Sequence, residues 1–264
     1  MFDEYNLEES INDKNLLKAV FMAGGPGSGK SFIANTMFGF GKDKISFSGA
    51  MLVNTDIFFE LGLRKDDLPM VVNPDNRSIY ARQMEIRDKA TNLTKTKQGF
   101  WINSMLPLVI DGTGKDFEKI RNQSDVLRSF GYDTYMVFVN TSLDTAQKRN
   151  SERERSLNPK MIEQMWNMVQ FNIGKFQEYF TPSNFWIIDN NETYEPGAED
   201  TLEFERNLYK IGRNILTSPL KNRVGQANIK YLKETGGKYL SDLAPNEELE
   251  KREKKKIDKQ KRIR

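Results

Sequence analysis

Residues Gly24 to Ser31 read GGPGSGKS, a complete G-x-x-x-x-G-K-S phosphate-binding loop placed directly after the apolar run Ala19-Val20-Phe21-Met22-Ala23. Such a loop constrains the fold strongly, because it works only between a buried strand and the start of a helix. Gly24, Gly25, Gly27 and Gly29 let the backbone turn tightly and bring its N–H groups to phosphate oxygens, while the following helix adds a fixed partial positive charge. Lys30 can reach the β- and γ-phosphates, and the Ser31 hydroxyl can ligate Mg²⁺. The flanks fit: Phe32, Ile33, Met37 and Phe38 form a helical stripe after the loop. Gly24, Gly25, Pro26, Gly27, Ser28, Gly29, Lys30, Ser31 and Phe32 are therefore read as a nucleoside triphosphate site, against the bland alternative of a connecting turn.

Composition narrows the chemistry. With 264 residues the chain is long enough for one α/β domain with appendages. It has no Cys and no His, which removes disulfides, thiolate nucleophiles, zinc fingers and imidazole bases. A general base must then be a carboxylate. The acidic start MFDEYNLEES does not read as a signal peptide, and no apolar run approaches membrane-spanning length, so a soluble cytoplasmic protein is expected. The last 14 residues, Lys251 to Arg264, hold nine Lys or Arg against two acidic residues, a net of +7; the chain total of +3 leaves −4 on the other 250. An acidic body argues against a broad nucleic-acid face. The tail reads either as a solvated, disordered extension or as a weak anion- or nucleic-acid-binding arm.

Five short apolar runs alternate with helical patterns: Lys18 to Ala23, Ala50 to Asn54, Leu106 to Ile110, Thr134 to Val139 and Phe185 to Ile188. Near-continuous apolar runs suit strands covered on both faces. Asp116 is a good helix N-cap with Gly131 as a stop, Thr141 or Ser142 begins another helix, and Pro159 suits a first turn. The pattern predicts a P-loop NTPase three-layer α/β sandwich with a mostly parallel five-stranded sheet. Its expected parts are an N-terminal arm or helix (1–17), a core (18–190) with a helical insert (58–100) and a lid (147–158), a helical C-terminal extension (191–250) and the basic tail (251–264). In the insert, Arg82 and Arg87 are expected near one helical face, either to meet a second substrate or as a solvated face.

Three further positions carry candidate chemistry. Asp111 ends the third run in Val109-Ile110-Asp111-Gly112, where it could hold the Mg²⁺ shell opposite Ser31 through water, or merely shape a turn. Gly112 stands where many motor ATPases carry a water-polarising glutamate, which favours transfer over hydrolysis. Asp56 follows the second run and is either the base for an acceptor hydroxyl or the N-cap of the helix through Ile57, Phe58 and Phe59. In Gln147 to Arg155, QKRNSERER, Arg149 and Arg153 are four apart and expected to share a helical face; they either clamp transferring phosphate or pair with Glu152 and Glu154.

These segments resemble a known family. DGTGKDFEKIRNQSDVLRSFGYDT is similar to the zeta-toxin segment around its third strand, and VFVNTSLDTAQKRNSER with Pro159 and Trp166 resembles the lid of phage polynucleotide kinase. The layout from about Lys18 to Asn190 resembles the zeta-like P-loop kinases of large tailed phages, whose home would be the host cytoplasm. The resemblance implies ATP and Mg²⁺, with Lys30 and Ser31 on phosphate and metal, Asp56 as acceptor-activating base, Asp111 as the acidic strand-end residue and Arg149 and Arg153 as lid arginines. It also exposes departures. Polynucleotide kinases carry arginines around the base, where Thr55 and Ile57-Phe58-Phe59 stand here, and zeta toxins usually have Glu at the position of Asp111. The reading is an ATP- and Mg²⁺-dependent kinase acting on a hydroxyl of a nucleotide sugar, nucleotide or nucleic-acid end; the alternative is an ATP-binding regulatory module or slow ATPase.

Overall fold

The five apolar runs become five parallel strands in the computed structural model, which describes residues 14–235 apart from 41–43, 47, 154, 155, 193, 194 and 196. They are β1 (Lys18–Ala23), β2 (Met51–Val53), β3 (Leu108–Asp111), β4 (Asp133–Asn140) and β5 (Phe185–Asp189). They lie in the order β2-β3-β1-β4-β5, with β1 paired to β3 on one side and β4 on the other. All six residues of β1 are buried, as a central strand covered on both faces requires. β3 starts two residues later than the apolar run suggests. Pro107 has no N–H to give to a ladder, so pairing begins after it.

Eight α-helices are described: α1 (Lys30–Phe38), α2 (Thr55–Lys65), α3 (Arg77–Asn103), α4 (Phe117–Ser129), α5 (Leu143–Ser151), α6 (Pro159–Phe180), α7 (Glu199–Thr217) and α8 (Arg223–Thr235). Their starts follow local chemistry. Asp116 accepts from the N–H of Lys119 and Ser142 from that of Thr145, which satisfies N–H groups that a helix start leaves unpaired. Pro159 opens α6, where its missing N–H costs nothing.

One face of the sheet packs against α1 and α7. Val20, Met22, Val109, Val137 and Ile188 meet Ile33, Met37 and Phe38 of α1 and Leu208, Ile215 and Leu216 of α7. Gly212 lets α7 approach closely, since a Cβ there would run into the Met37 carbonyl. The other face carries α4 and α6, with Phe180 against Phe21 at 5.8 Å and Phe117 against Phe176 at 5.4 Å between ring centroids. This is the expected three-layer sandwich. Burying each such side chain contributes about 1.5–3 kcal/mol.

Two further packings position the site. Helices α2 and α3 and the turn between them enclose a small core of Phe59, Leu63, Val72, Ile86 and Ala90, against which Leu157 also packs. Gln83 fixes that turn by donating to the carbonyls of Pro69 and Val71 at 2.8 and 3.1 Å. At the amino ends of β1 and β4, buried Lys18 pairs with Asp133 at 2.8 Å, and Asp133 also accepts the N–H groups of Lys221 and Asn222. Burial pushes the Lys18 ammonium below the ordinary lysine value, while its hydrogen bond to Asp133 works against that shift. This network ties the segment after α7 to the amino ends of β1 and β4, at the end of the sheet opposite the phosphate-binding loop.

Residues 14–226 form one compact unit; residues 1–13 and 227–264 form a second, of which 227–235 are described, as the end of α8. Of the expected N-terminal arm or helix, residues 14–17 form a turn and the rest lies outside the described residues, as does the basic tail. Among the described residues no helix is long and apolar enough to cross a membrane.

Candidate active site

The loop after β1 is shaped by glycines that no other residue could replace without displacement. Gly27 and Gly29 adopt φ of 81° and 84°, the left-handed region. A Cβ on Gly27 would run into the Ala146 carbonyl, and one on Gly29 into the Asn190 amide. Neighbouring strand ends stitch the loop in place: Gly24 donates to the Thr113 carbonyl at 3.1 Å, and Gly112 donates to the Met22 carbonyl at 3.1 Å. Lys30 opens α1 and folds back over the loop, its Nζ donating to the carbonyls of Gly24 at 2.8 Å and Gly25 at 3.1 Å. Ser28 is 1% exposed, and its buried hydroxyl has no hydrogen-bond partner among the described residues. A glycine cradle with an orphaned buried hydroxyl fits a ligand rich in acceptor oxygens, as a triphosphate is. Ser31 and Phe32 are both exposed on the first turn of α1.

Charged groups gather around Lys30. Burial pushes its ammonium below the ordinary value of 10.5; Asp111 opposes that shift, Arg153 reinforces it and Asp56 opposes it again. Asp111 lies on β3, Asp56 on α2 and Arg153 just beyond α5. Asp111 is fixed by Asn54, which donates to its Oδ2 at 2.8 Å. The same Asn54 is the N-cap of α2, accepting from the N–H of Asp56 at 2.7 Å. Asp56 is thus the second residue of α2, and the capping role open to it in the sequence belongs to Asn54. Its carboxylate stands 3.7 Å from Arg87 of α3.

The two lid arginines part company. Helix α5 ends at Ser151, so Arg153 falls outside it and the shared helical face expected for Arg149 and Arg153 does not form. Half-buried Arg149 spans two backbone carbonyls after β5, those of Asn190 at 2.7 Å and Glu192 at 2.8 Å. Arg155 lies outside the described residues. Arg82 and Arg87 diverge as well: Arg82 pairs with Asp66 and Glu85, each at 3.0 Å. Five positions on a helix of 3.6 residues per turn are about 140° apart, too far for one face.

Several residues unread in the sequence hold these groups. Asn190, 3% exposed, donates to the Ser28 carbonyl at 2.8 Å. Trp166 donates to the Thr141 carbonyl at 2.8 Å, and its backbone closes against Gly25. Asn172 donates to the carbonyls of Gly114 and Lys115, fixing the segment that leaves Asp111. Asn54 had a local signal, because Asn at a strand-to-helix junction is a preferred cap. Asn190 had none: its partner is 162 positions away. An open cavity of about 390 Å³ between α4 and α6, lined by Lys115, Phe117, Met168, Asn172 and Lys175, adjoins this segment but contains none of the expected site residues.

A glycine cradle at the end of the central strand of a parallel sheet, with a lysine and a strand-end aspartate on the neighbouring strand, defines a P-loop NTPase-like α/β protein. Residues 20–170 match the AAA domain family, and the chain belongs to it. The fold is similar to that of AvrRxo1-ORF1 with AvrRxo1-ORF2 and sulphate ions, at 12% identity and a TM-score of 0.50 over 85% of this chain and 83% of that one. Similarity extends to the PezAT toxin–antitoxin system of Streptococcus pneumoniae, at 15% identity and a TM-score of 0.48 over 80% and 92% of the two chains. The Pnkp1/Rnl/Hen1 RNA repair complex is matched at 19% identity and a TM-score of 0.45, over 62% of this chain and 48% of that one. No curated protein sequence matches the chain significantly.

Proposed function

We propose that the chain is an ATP- and Mg²⁺-dependent kinase of the cytoplasm that moves the γ-phosphoryl group of ATP onto a hydroxyl acceptor. The observation that carries this reading is Asn54, which donates to Asp111 at 2.8 Å and caps α2 by accepting the N–H of Asp56 at 2.7 Å, so that one anchor holds both carboxylate-bearing segments at the strand ends beside the phosphate-binding loop. A binding module needs the loop; it has no need of a second carboxylate on α2, capped by the asparagine that holds Asp111.

In this reading Lys30 and the loop amides hold the β- and γ-phosphates. Asp56 accepts the acceptor proton as the acceptor oxygen bonds to the γ-phosphorus and the bond to the β–γ bridging oxygen breaks, leaving ADP and the phosphorylated acceptor. Ser31 and, through water, Asp111 would hold Mg²⁺, and the anchoring of Asp111 by Asn54 fits that task. The ion, when bound, neutralises charge developing on the phosphate oxygens. Arg153 adds positive charge on the Lys30 side, and Arg149 steadies the β5 end of the loop.

Replacing Asp56 with Asn tests the base directly. Transfer should fall about 10²–10⁴-fold, while ATP affinity, measured by calorimetry, changes less than about twofold. Unaltered transfer in Asp56→Asn would remove Asp56 from the mechanism.

A further inference from the structure

The cations around the site differ in how fully they are engaged. Lys30 is held by two loop carbonyls, Arg149 by two carbonyls after β5, and Arg82 by two carboxylates. Arg87 stands apart. Its guanidinium lies over the Phe59 ring at 5.1 Å from the centroid, and among the described residues its one ion pair is the 3.7 Å approach to Asp56. That separation exceeds the 2.7–2.9 Å typical of a charge-assisted hydrogen bond. Among the described residues no hydrogen bond engages its five N–H donors. The group is nonetheless placed with care. Phe59 is fully buried, which fixes one face of the guanidinium, and Gly62 lets α3 settle on α2, since a Cβ there would run into Ile86 next to Arg87. Arg87 remains 44% exposed and Asp56 38% exposed, so solvent reaches both.

A pre-oriented planar cation with unused donors suits a bidentate oxyanion. Its placement beside the carboxylate that faces the acceptor also offsets the repulsion an anionic acceptor would meet there.

We infer that Arg87 is the binding site for an oxyanion, a phosphate or a carboxylate, carried by the acceptor close to the hydroxyl that Asp56 deprotonates. This rests on the kinase reading of Asp56 and narrows the acceptor from any alcohol to one bearing an anionic group. On binding, Arg87 exchanges its long contact with Asp56 for two direct hydrogen bonds to the acceptor anion, and Asp56 is left facing the hydroxyl. The insert supplies from a distant helix the positive charge that the residues next to Asp56, Thr55 and Ile57, do not carry.

The test is a binding measurement, so it does not depend on turnover. Protein saturated with Mg²⁺ and a non-hydrolysable ATP analogue is titrated at constant ionic strength with inorganic phosphate and, in parallel, with acetate; wild type, Arg87→Ala and Arg87→Lys are compared. Wild type should bind one anion. Arg87→Ala should weaken it at least about tenfold, as expected for loss of hydrogen bonds to a charged group. Arg87→Lys, which keeps the charge but not the fork, should fall between. Thermal melts that superimpose show that the exposed substitution has left the fold intact. Preference for phosphate over acetate assigns a phosphate ester, and the reverse a carboxylate. Anion binding that is absent from wild type, or equal in wild type and Arg87→Ala, overturns the proposal. Failure of the analogue to bind would instead strike the kinase reading, while the comparison of Arg87 variants still decides the anion site.

Discussion

The donor and acceptor sides of this site are built by different means. The donor side is one contiguous loop: Gly27 and Gly29 take left-handed conformations, Lys30 folds back onto Gly24 and Gly25, and the strand before and helix after follow at once. The proposed acceptor side is assembled from a strand-end asparagine, the second residue of α2 and an arginine 31 positions further on in α3, across a small core of its own. Backbone chemistry makes the first, and side-chain packing makes the second. A loop that presents backbone N–H groups depends on glycine positions and tolerates little else, whereas a packed insert can change its surface while its core persists. The two halves should therefore fail differently.

The largest effect is expected on the donor side. Lys30→Ala should lower phosphoryl transfer about 10³-fold or more, measured as γ-phosphate moved from labelled ATP, because it removes a charge aimed at the transferring group. A smaller loss would mean that the loop amides carry the electrostatics. Arg153→Ala should come next, at about 10²-fold in kcat with little change in the melting temperature, as Arg153 is exposed and acts on Lys30. Arg149→Ala provides the contrast: losing two hydrogen bonds to carbonyls should cost about 1–3 kcal/mol of stability, and appear in KM for ATP more than in kcat. Equal kinetic signatures for the two arginines would erase the distinction drawn between them.

Gly27→Ala sharpens the comparison at the level of the fold. A left-handed residue facing the Ala146 carbonyl should cost about 2 kcal/mol, a fall of about 4–8 °C in melting temperature, and weaken nucleotide binding. Gly99, in α3 with nothing near its missing side chain, should tolerate alanine and even gain a few tenths of a kcal/mol. The smallest effect is a pH dependence. Burial lowers the Lys30 pKa in the free protein, and bound phosphate favours the charged form, so binding takes up a proton above the lowered value. ATP affinity should then fall as pH rises, at up to about tenfold per unit, starting below the ordinary value of 10.5. A fluorescent ATP analogue titrated across alkaline pH reads it; Lys30→Met should abolish the slope.

Much of the fold was legible because its signals are local. The apolar runs marked the strands to within two residues, and Asp116, Ser142 and Pro159 marked helix starts, since caps and fixed φ act over a few positions. The site was legible in proportion to its dependence on backbone. The glycine turn of Gly24 to Ser31 and the place of Asp111 at the end of β3 followed from the sequence alone. Asp56 could not be separated from a cap until Asn54 was seen to fill that role. The lid arginines were misjudged as a pair because helix α5 ends at Ser151, and nothing in SERER marks that end strongly. Arg87 was read only together with Arg82, as one face toward a second substrate or solvent, and Asn190 was given no role, because their partners lie on other elements and only packing brings them together.

The central claim is that the donor half serves a dedicated acceptor. It is tested most directly by incubating the protein with γ-labelled ATP and Mg²⁺ against a panel of nucleosides, nucleotides, nucleotide sugars and oligonucleotide ends, and following label into product. The account predicts acceptor-dependent transfer that disappears in Asp56→Asn. Label released only as inorganic phosphate, at a slow rate indifferent to every acceptor and to Asp56, would contradict it and leave an ATP-binding module in its place.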